Sequence, residues 1–199
     1  VPALEQQQRD KVWHELIAPT APSRKVGLLG FGVLGQDAAR VLRALKFDLA
    51  SWSRTPKRVA GVQSFYGADG LGPFLARTEI LVCLLPLTAK TQGILNRDLL
   101  AKLPRGACLI NAGRGGHQVE EDILAALDSG QLAGATLDVF LTEPLPTGSP
   151  FWTHPKVTLT PHIASVTQQV SAIEQVVANI RRIQAGKTPL NTVDRELGY

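Results

Sequence analysis

Three polar residues, Arg114, Glu143 and His162, stand just beyond short apolar runs. Arg114 lies in Asn111-Ala112-Gly113-Arg114-Gly115-Gly116, Glu143 follows Leu137-Asp138-Val139-Phe140, and His162 lies in Thr160-Pro161-His162-Ile163-Ala164-Ser165. If the runs are parallel strands, their carboxyl ends open on the crevice where an open α/β sheet holds its ligand. A guanidinium, a carboxylate and an imidazole placed there can hold a carboxylate substrate and deliver a proton. Arg114 sits between glycines and has no helical face to decorate, so a functional reading is favoured; the same holds for His162, preceded by proline at a strand end. Glu143 before Pro144 reads either as a partner of this chemistry or as a turn carboxylate. Asp138, inside an apolar run, needs a partner once buried, and ligand and backbone are both open. His14, His117 and His154 read as structural or solvent-facing residues. No pair of cysteines or histidines stands at metal-ligand spacing, so no metal site is expected.

A second feature lies upstream. Gly30-Phe31-Gly32-Val33-Leu34-Gly35 fits G-x-G-x-x-G, a pattern whose weight depends on its context. Here it follows an apolar run and opens a helical period. Gly30 can then make the tight turn, Gly32 can let a pyrophosphate approach the backbone, and Gly35 can bring helix and strand close. Phosphates would sit on the free N–H groups at the positive end of the helix. A tight turn without a ligand is the weaker alternative. An NAD-preferring site would carry Asp or Glu about 20 residues further on, at the end of the second strand, to bind the ribose 2′-OH. This chain has Ser53-Arg54-Thr55 there, followed by Lys57 and Arg58. A hydroxyl and a guanidinium suit a 2′-phosphate, which favours NADP(H) while leaving NAD(H) open. An arginine on a surface turn is the competing reading.

The elements that must position these residues are legible as alternating patterns. Lys25 to Leu29, Leu49 to Ser53, Val62 to Tyr66, Ile80 to Leu85, Ala107 to Asn111, Ala135 to Phe140 and Val157 to Thr160 read as strands. Leu34, Ala38, Val41, Leu42 and Leu45 recur at helical spacing, Gly72 to Arg77 reads as a short helix, and Val119 to Asp128 as a helix stopped by Gly130. Val166, Val170, Ile173, Val176, Val177, Ile180 and Ile183 mark the last helix, ended by Gly186 and Pro189. The expected fold is α/β, a Rossmann-type doubly wound parallel sheet with helices on both faces.

Composition narrows the class. The 199 residues, 44% hydrophobic and 19% charged, suit a globular body burying on the order of 70% of its extended surface, which is one domain with an appendage. The longest apolar run, Ile80 to Leu87, falls well short of the ~18 residues a membrane helix needs. The net charge of +4 is spread along the chain, without the stripe and interleaved aromatics of a nucleic-acid surface. Cys83 and Cys108 sit in apolar runs as small hydrophobes, which argues for a reducing compartment such as the cytoplasm. The chain begins at Val1 and contains no Met, so an upstream segment is expected.

Taken in order, these motifs resemble the cofactor-binding half of the D-isomer-specific 2-hydroxyacid dehydrogenases, in particular their glyoxylate/hydroxypyruvate reductase branch. The resemblance runs from the Trp13 region to Tyr199. It rests on the glycine loop, Trp52-Ser53-Arg54, Leu84-Leu85-Pro86-Leu87-Thr88, Asn111 to Gly115, Leu137 to Pro144, Pro150-Phe151-Trp152, Pro161-His162-Ile163-Ala164, Val193-Asp194-Arg195 and Gly198-Tyr199. It implies that Arg114 binds the substrate carboxylate and keto oxygen, that His162 is the acid/base, and that Glu143 accepts a hydrogen bond from His162 and favours the imidazolium. It further implies that Asp138 holds the nicotinamide carboxamide, that Leu85 and Pro86 flank the adenosine, that Ala112 offers backbone to the cofactor, and that Arg114 and His162 border it. The Ser53-Arg54 pair matches this branch's preference for NADP(H). The implied activity is reduction of small 2-oxoacids by a homodimer.

The same resemblance divides the chain into the end of an interdomain connector and linker over 1–23, a dinucleotide-binding domain over 24–186 and a tail over 187–199. The amino-terminal substrate domain of the family is expected to be absent. Two other readings stand beside the reductase. One is a dinucleotide-sensing or corepressor-like module without turnover; the other is a dehydrogenase of a bulkier hydroxyacid such as a phosphoglycerate.

Overall fold

A computed structural model describes residues 2–194, apart from the side chains of residues 2, 3 and 171. Arg195, Gly198 and Tyr199 of the last two motifs lie outside the described residues. Seven parallel strands form one sheet in the order β3-β2-β1-β4-β5-β6-β7. They are β1 (Lys25–Leu29), β2 (Asp48–Ser53), β3 (Gln63–Tyr66), β4 (Ile80–Cys83), β5 (Ala107–Asn111), β6 (Leu132–Leu137) and β7 (Val157–Leu159). The helices are α1 (Pro2–Asp10), α2 (Val33–Ala44), α3 (Gly67–Ala76), α4 (Arg97–Leu100), α5 (Glu120–Asp128) and α6 (Gln169–Gln184). No helix among the described residues is long and apolar enough to cross a membrane.

Strand alternation splits the core between the two faces of the sheet. Val26, Leu28 and Leu49 pack with Ala38, Ala39 and Leu42 of α2 on one face. Leu29, Ala50, Leu81, Cys83 and Leu109 pack on the other with Phe74 and Leu75 of α3, Leu99 and Leu100 of α4, and Ile123 and Leu127 of α5. This is the doubly wound arrangement that the alternating patterns predict. Cys83 lies fully inside, and burial pushes its thiol up to about 12 against the lowering pull of the Leu85 backbone, so it is an inert apolar filler. By contrast, the apolar ridge of α6 faces outward, with Ile173, Val176, Ile180 and Ile183 all exposed.

Several elements differ from the sequence expectation; the last helix, marked there from Val166, starts at Gln169. The helix expected over 72–77 starts at Gly67 and accommodates Pro73, because the burial of Phe74 and Leu75 over β2 and β3 outweighs one missing N–H. β4 stops at Cys83, where the Leu84 N–H donates to the Leu29 carbonyl and the chain turns away. β6 runs over 132–137, so Asp138 stands just past the strand, with Leu132 supplying a buried side chain that the expected start at Ala135 left out. The four-residue α4 has too little length for a period; its signal is the Asn96 cap, whose Oδ1 accepts from Leu99 N at 3.0 Å.

Strand order reverses between β1 and β4, the switch point where such sheets bind ligands. One row of hydrogen bonds continues past the strand ends: Gly30 N to Trp52 O, Leu84 N to Leu29 O, Ala112 N to Cys83 O, Asp138 N to Asn111 O and Thr160 N to Leu137 O. The residues beyond that row therefore rise from a common floor. At the switch point Gly30 has φ 106°, and a Cβ there would lie 2.7 Å from the Leu84 carbonyl group. Across the turn, a Cβ on Gly35 would lie 2.3 Å from the Gly30 oxygen. Gly30→Ala should therefore cost about 2 kcal/mol or more, from the left-handed backbone and the clash together. Denaturant unfolding checks this, and unchanged stability would contradict the turn.

Candidate active site

The cleft at the switch point has a volume of about 980 Å³. Gly30, Gly32, Val33, Leu34 and Gly35 line it from the glycine loop, Ser53, Arg54 and Thr55 from the end of β2, and Leu85, Pro86, Ala112 and Arg114 from the ends of β4 and β5. The chemistry of this wall fits a dinucleotide. α2 starts at the cleft with no side-chain cap on its first N–H groups, and a Cβ on Gly32 would meet nothing within 4 Å, so an anion can reach the backbone. At the far end stand Arg54 and Lys57. The Ser53 hydroxyl donates to the Thr55 carbonyl at 2.8 Å, which shapes the turn and leaves its oxygen lone pairs toward other donors. Lys90 and Thr88 also line the cleft; they lie in a segment without a helical or strand period, and nothing in their spacing marks them.

Asp138, Glu143 and His162 lie outside this lining and form a second cluster. His162 Nδ1 and Glu143 Oε2 are 2.7 Å apart, with the two side chains 46% and 35% exposed. Glu143 Oε1 also accepts from Phe140 N at 2.9 Å. Burial pushes the Glu143 carboxyl up, but the hydrogen bonds from His162 and Phe140, helped by the charge of His162, outweigh it and hold the group below its ordinary value. Glu143 is therefore ionised at neutral pH, and the His162 nitrogen facing it is the one that carries a hydrogen.

The Asp138 side chain is engaged by its own protein. Oδ1 accepts from the Thr160 hydroxyl and from Ile163 N at 2.9 Å, and Oδ2 from Ala164 N at 3.0 Å. The Asp138 carbonyl accepts from His162 N at 2.8 Å. Between these anchors His162 adopts φ 55°, a conformation rare for residues other than glycine though less so for His. The backbone partner left open for Asp138 in the sequence is thus present.

Arg114 connects the two clusters. Asn111, fully buried at the end of β5, receives Gly113 N on Oδ1 at 3.1 Å and donates Nδ2 to the Arg114 carbonyl at 3.2 Å. The next residue, Gly115, presses against the loop after β6: a Cβ there would lie 1.8 Å from the Phe140 oxygen. Gln118 Nε2 donates to the Val139 carbonyl, and Glu120 Oε1 accepts from Leu141 N at 3.1 Å. Contacts therefore run unbroken from the Arg114 loop through 139–143 to His162. His117, read from sequence as structural or solvent-facing, is fully buried beneath this loop. Gln118 and Glu120 carry no mark in the sequence, because their work is contact between loops distant in sequence.

A cleft built on a glycine loop at the switch point of a parallel sheet, with a hydrogen-bonded Glu–His pair and an arginine at neighbouring strand ends, defines a dinucleotide-binding domain. The family model of the D-isomer specific 2-hydroxyacid dehydrogenase NAD binding domain matches residues 1–164, and the chain belongs to that family. It is 51% identical over 196 residues to glyoxylate/hydroxypyruvate reductase A of Serratia proteamaculans, covering 98% of this chain and 62% of that protein. To the reductase of the same name from Yersinia enterocolitica it is 48% identical, covering 97% and 62%. The chain thus spans about three-fifths of the length of these curated relatives. Among solved structures, a D-isomer specific 2-hydroxyacid dehydrogenase from Xanthobacter autotrophicus in complex with NADPH and MES superposes with a TM-score of 0.97 at 49% identity, covering 100% of this chain and 82% of that one. An NADPH-dependent glyoxylate/hydroxypyruvate reductase from Sinorhizobium meliloti in complex with NADP and sulfate gives 0.95 at 46%, covering 100% and 64%.

The Asp138 clamp has a pH signature. Burial raises its carboxyl, but the Thr160 hydroxyl, the Ala164 and Ile163 N–H groups and the charge of His162 lower it further, so it lies below its ordinary 3.8. A carboxyl depressed on folding stabilises the protein fully above its unfolded value, and that contribution is lost as pH falls through the folded one. Asp138→Asn should therefore flatten the loss of stability below about pH 4. Equal acid profiles for the two proteins, followed by circular dichroism, would place the linkage elsewhere.

Proposed function

We propose that this chain is the dinucleotide-binding part of an NADP(H)-dependent reductase of small 2-oxoacids of the glyoxylate and hydroxypyruvate type. The observation that carries the proposal is the 2.7 Å pair of His162 and Glu143 at the strand ends beside the Arg114 loop. The named reductases at about half identity support the substrate class, and the NADP-bound relatives support the cofactor. In this reading residues 24–186 are the cofactor domain, 1–23 the end of a connector and 187–199 a tail, and the working protein is a cytoplasmic homodimer.

The dinucleotide, when bound, supplies the hydride. The glycine loop and the start of α2 hold its pyrophosphate, Ser53, Arg54 and Thr55 its adenosine ribose and 2′-phosphate, and Leu85, Pro86 and Ala112 its flanks. Asp138 orients the carboxamide end and, through Ile163 and Ala164, the loop that carries His162. Arg114 binds the oxoacid, its guanidinium pairing with the carboxylate and polarising the keto oxygen. Its exposed position leaves the fork available on the cleft side, while Nη1 also donates to the Gly113 carbonyl at 2.7 Å. With Nδ1–H directed at the Glu143 carboxylate, the His162 proton that can leave is on Nε2, and it passes to the keto oxygen as the alcohol forms. Glu143 stabilises the imidazolium before transfer and fixes the ring's tautomer afterwards.

In the full-length protein, His162→Ala should lower kcat for glyoxylate about a hundred- to ten-thousandfold, and Arg114→Ala should raise the oxoacid KM. Steady-state NADPH oxidation checks both. Unchanged rates in both variants would sink the enzyme reading, and NADPH binding without substrate-dependent oxidation in the unmodified protein would favour a sensor. NADPH should bind tighter than NADH, and Arg54→Asp should narrow or reverse that gap by about tenfold or more through loss of a charged hydrogen bond and gain of a repulsive charge. Equal affinities in the unmodified protein, by fluorescence titration, would refute the 2′-phosphate assignment.

A further inference from the structure

We infer that His117, through its ring, is a positioning residue that sets the orientation of Arg114 toward the oxoacid. The inference rests on the substrate-binding reading of Arg114 given above.

The geometry is specific to a hydrogen-bond acceptor. His117 Nδ1 accepts the Arg114 backbone N–H at 3.1 Å, and the His117 N–H returns a bond to the Arg114 carbonyl at 3.2 Å. Asn111 holds the same carbonyl and the Gly113 N–H. Both peptide groups that flank Arg114 are thereby pinned, one side by Asn111 and the other by the imidazole. The ring also lies close against the backbone it holds: a Cβ on Gly113 would lie 3.0 Å from Nδ1 and 3.1 Å from Cε1. That same point is 3.3 Å from the Leu85 carbonyl oxygen on the cofactor side. His117 therefore sits where the cofactor wall and the arginine loop meet.

A buried histidine is a poor choice for filling space alone. Its Nε2 is buried without a hydrogen-bond partner, a cost an apolar side chain of equal volume would avoid. What the imidazole adds is an sp² acceptor aimed at one N–H. Accepting on Nδ1 requires the neutral ring with its hydrogen on Nε2. Burial, the largest influence, pushes the ring's value down, and the charge of Arg114 acts the same way, against the raising pull of the Pro86 and Arg114 backbones. The ring is neutral at physiological pH, so the acceptor is always present. Misplacement of a binding group by about 1 Å can cost on the order of a hundredfold in turnover, which gives a loop held at both peptides a function that space-filling does not have.

Three variants of the full-length protein test this. His117→Leu keeps the volume and removes the acceptor; it should raise the glyoxylate KM about tenfold or more while the NADPH Kd stays within about twofold. His117→Asn places Oδ1 near the former Nδ1 and should bring the KM back to within about threefold of the unmodified protein. An unchanged KM in the Leu variant, or a KM and NADPH Kd that rise together, overturns the inference. If the Leu variant does not fold, the Asn variant decides alone: a KM raised tenfold despite its acceptor overturns the inference, and a KM within threefold supports it. Arg114→Gln separates the two levels. If it leaves KM unchanged, the substrate-binding reading of Arg114 has failed; if it raises KM while His117→Leu does not, only the role of His117 has failed.

Discussion

The carboxylate of Asp138 is the point on which the placement of His162 depends. It is nearly buried, and its two oxygens gather the Thr160 hydroxyl and the N–H groups of Ile163 and Ala164. A buried charge without partners would cost several kcal/mol; with three donors it becomes the fixture that closes the 160–164 loop. That closure explains why His162 tolerates φ 55°. Its backbone is held on either side of the strained residue, and the side chain is delivered to Glu143 by the backbone rather than by choice of rotamer alone.

The second constraint is the contact between the loops after β5 and β6. Gly115 lets the Arg114 loop approach Phe140 so closely that any side chain would overlap the Phe140 carbonyl group. Phe140 in turn donates its N–H to Glu143. A shift of the arginine loop is therefore a shift of the carboxylate that orients His162. Gln118 and Glu120, from the entry to α5, tie the same segment from the other side. Arg114 and the Glu143–His162 pair thus belong to one mechanically coupled unit, although they come from three strands and are spread over 49 positions of sequence, from 114 to 162.

The parts of this site legible in the sequence are those set by local chemistry. The glycine loop is a turn followed by a helix, and both leave marks within six residues. Arg114, Glu143 and His162 were visible because polar residues directly after apolar runs fall at the carboxyl edge of a parallel sheet. What the sequence hid depends on pairings across loops. Asp138 appeared to lie inside a strand because Val139 and Phe140 continue the apolar run; in the structure these two side chains are buried beyond the strand end. His117 looked idle because a buried acceptor for a backbone N–H has no periodicity. Gly72-Pro73 resembles a helix start, so the sequence points to a helix over 72–77, and only burial of Phe74 against the sheet reveals the helix over 67–76.

The magnitudes decide what the Glu143–His162 pair is for. With 35% and 46% of the two side chains exposed, an ion pair of this kind contributes at most about 1 kcal/mol to stability. Stability is therefore not a sufficient reason for so much supporting structure. Orientation is: a carboxylate at 2.7 Å fixes which ring nitrogen faces it and which is left to other partners. The same partial exposure has a further consequence. Attraction between charges at fixed distance grows as water is removed, from roughly 1 kcal/mol at 4 Å in water to about 4 kcal/mol at the effective dielectric of a protein surface. Any group that displaced water from around the pair would strengthen it for the same reason. The elements that fix the geometry of the pair, Asp138, Phe140 and the 160–164 loop, all lie within this chain, whereas the strength of its field depends on how much water surrounds it.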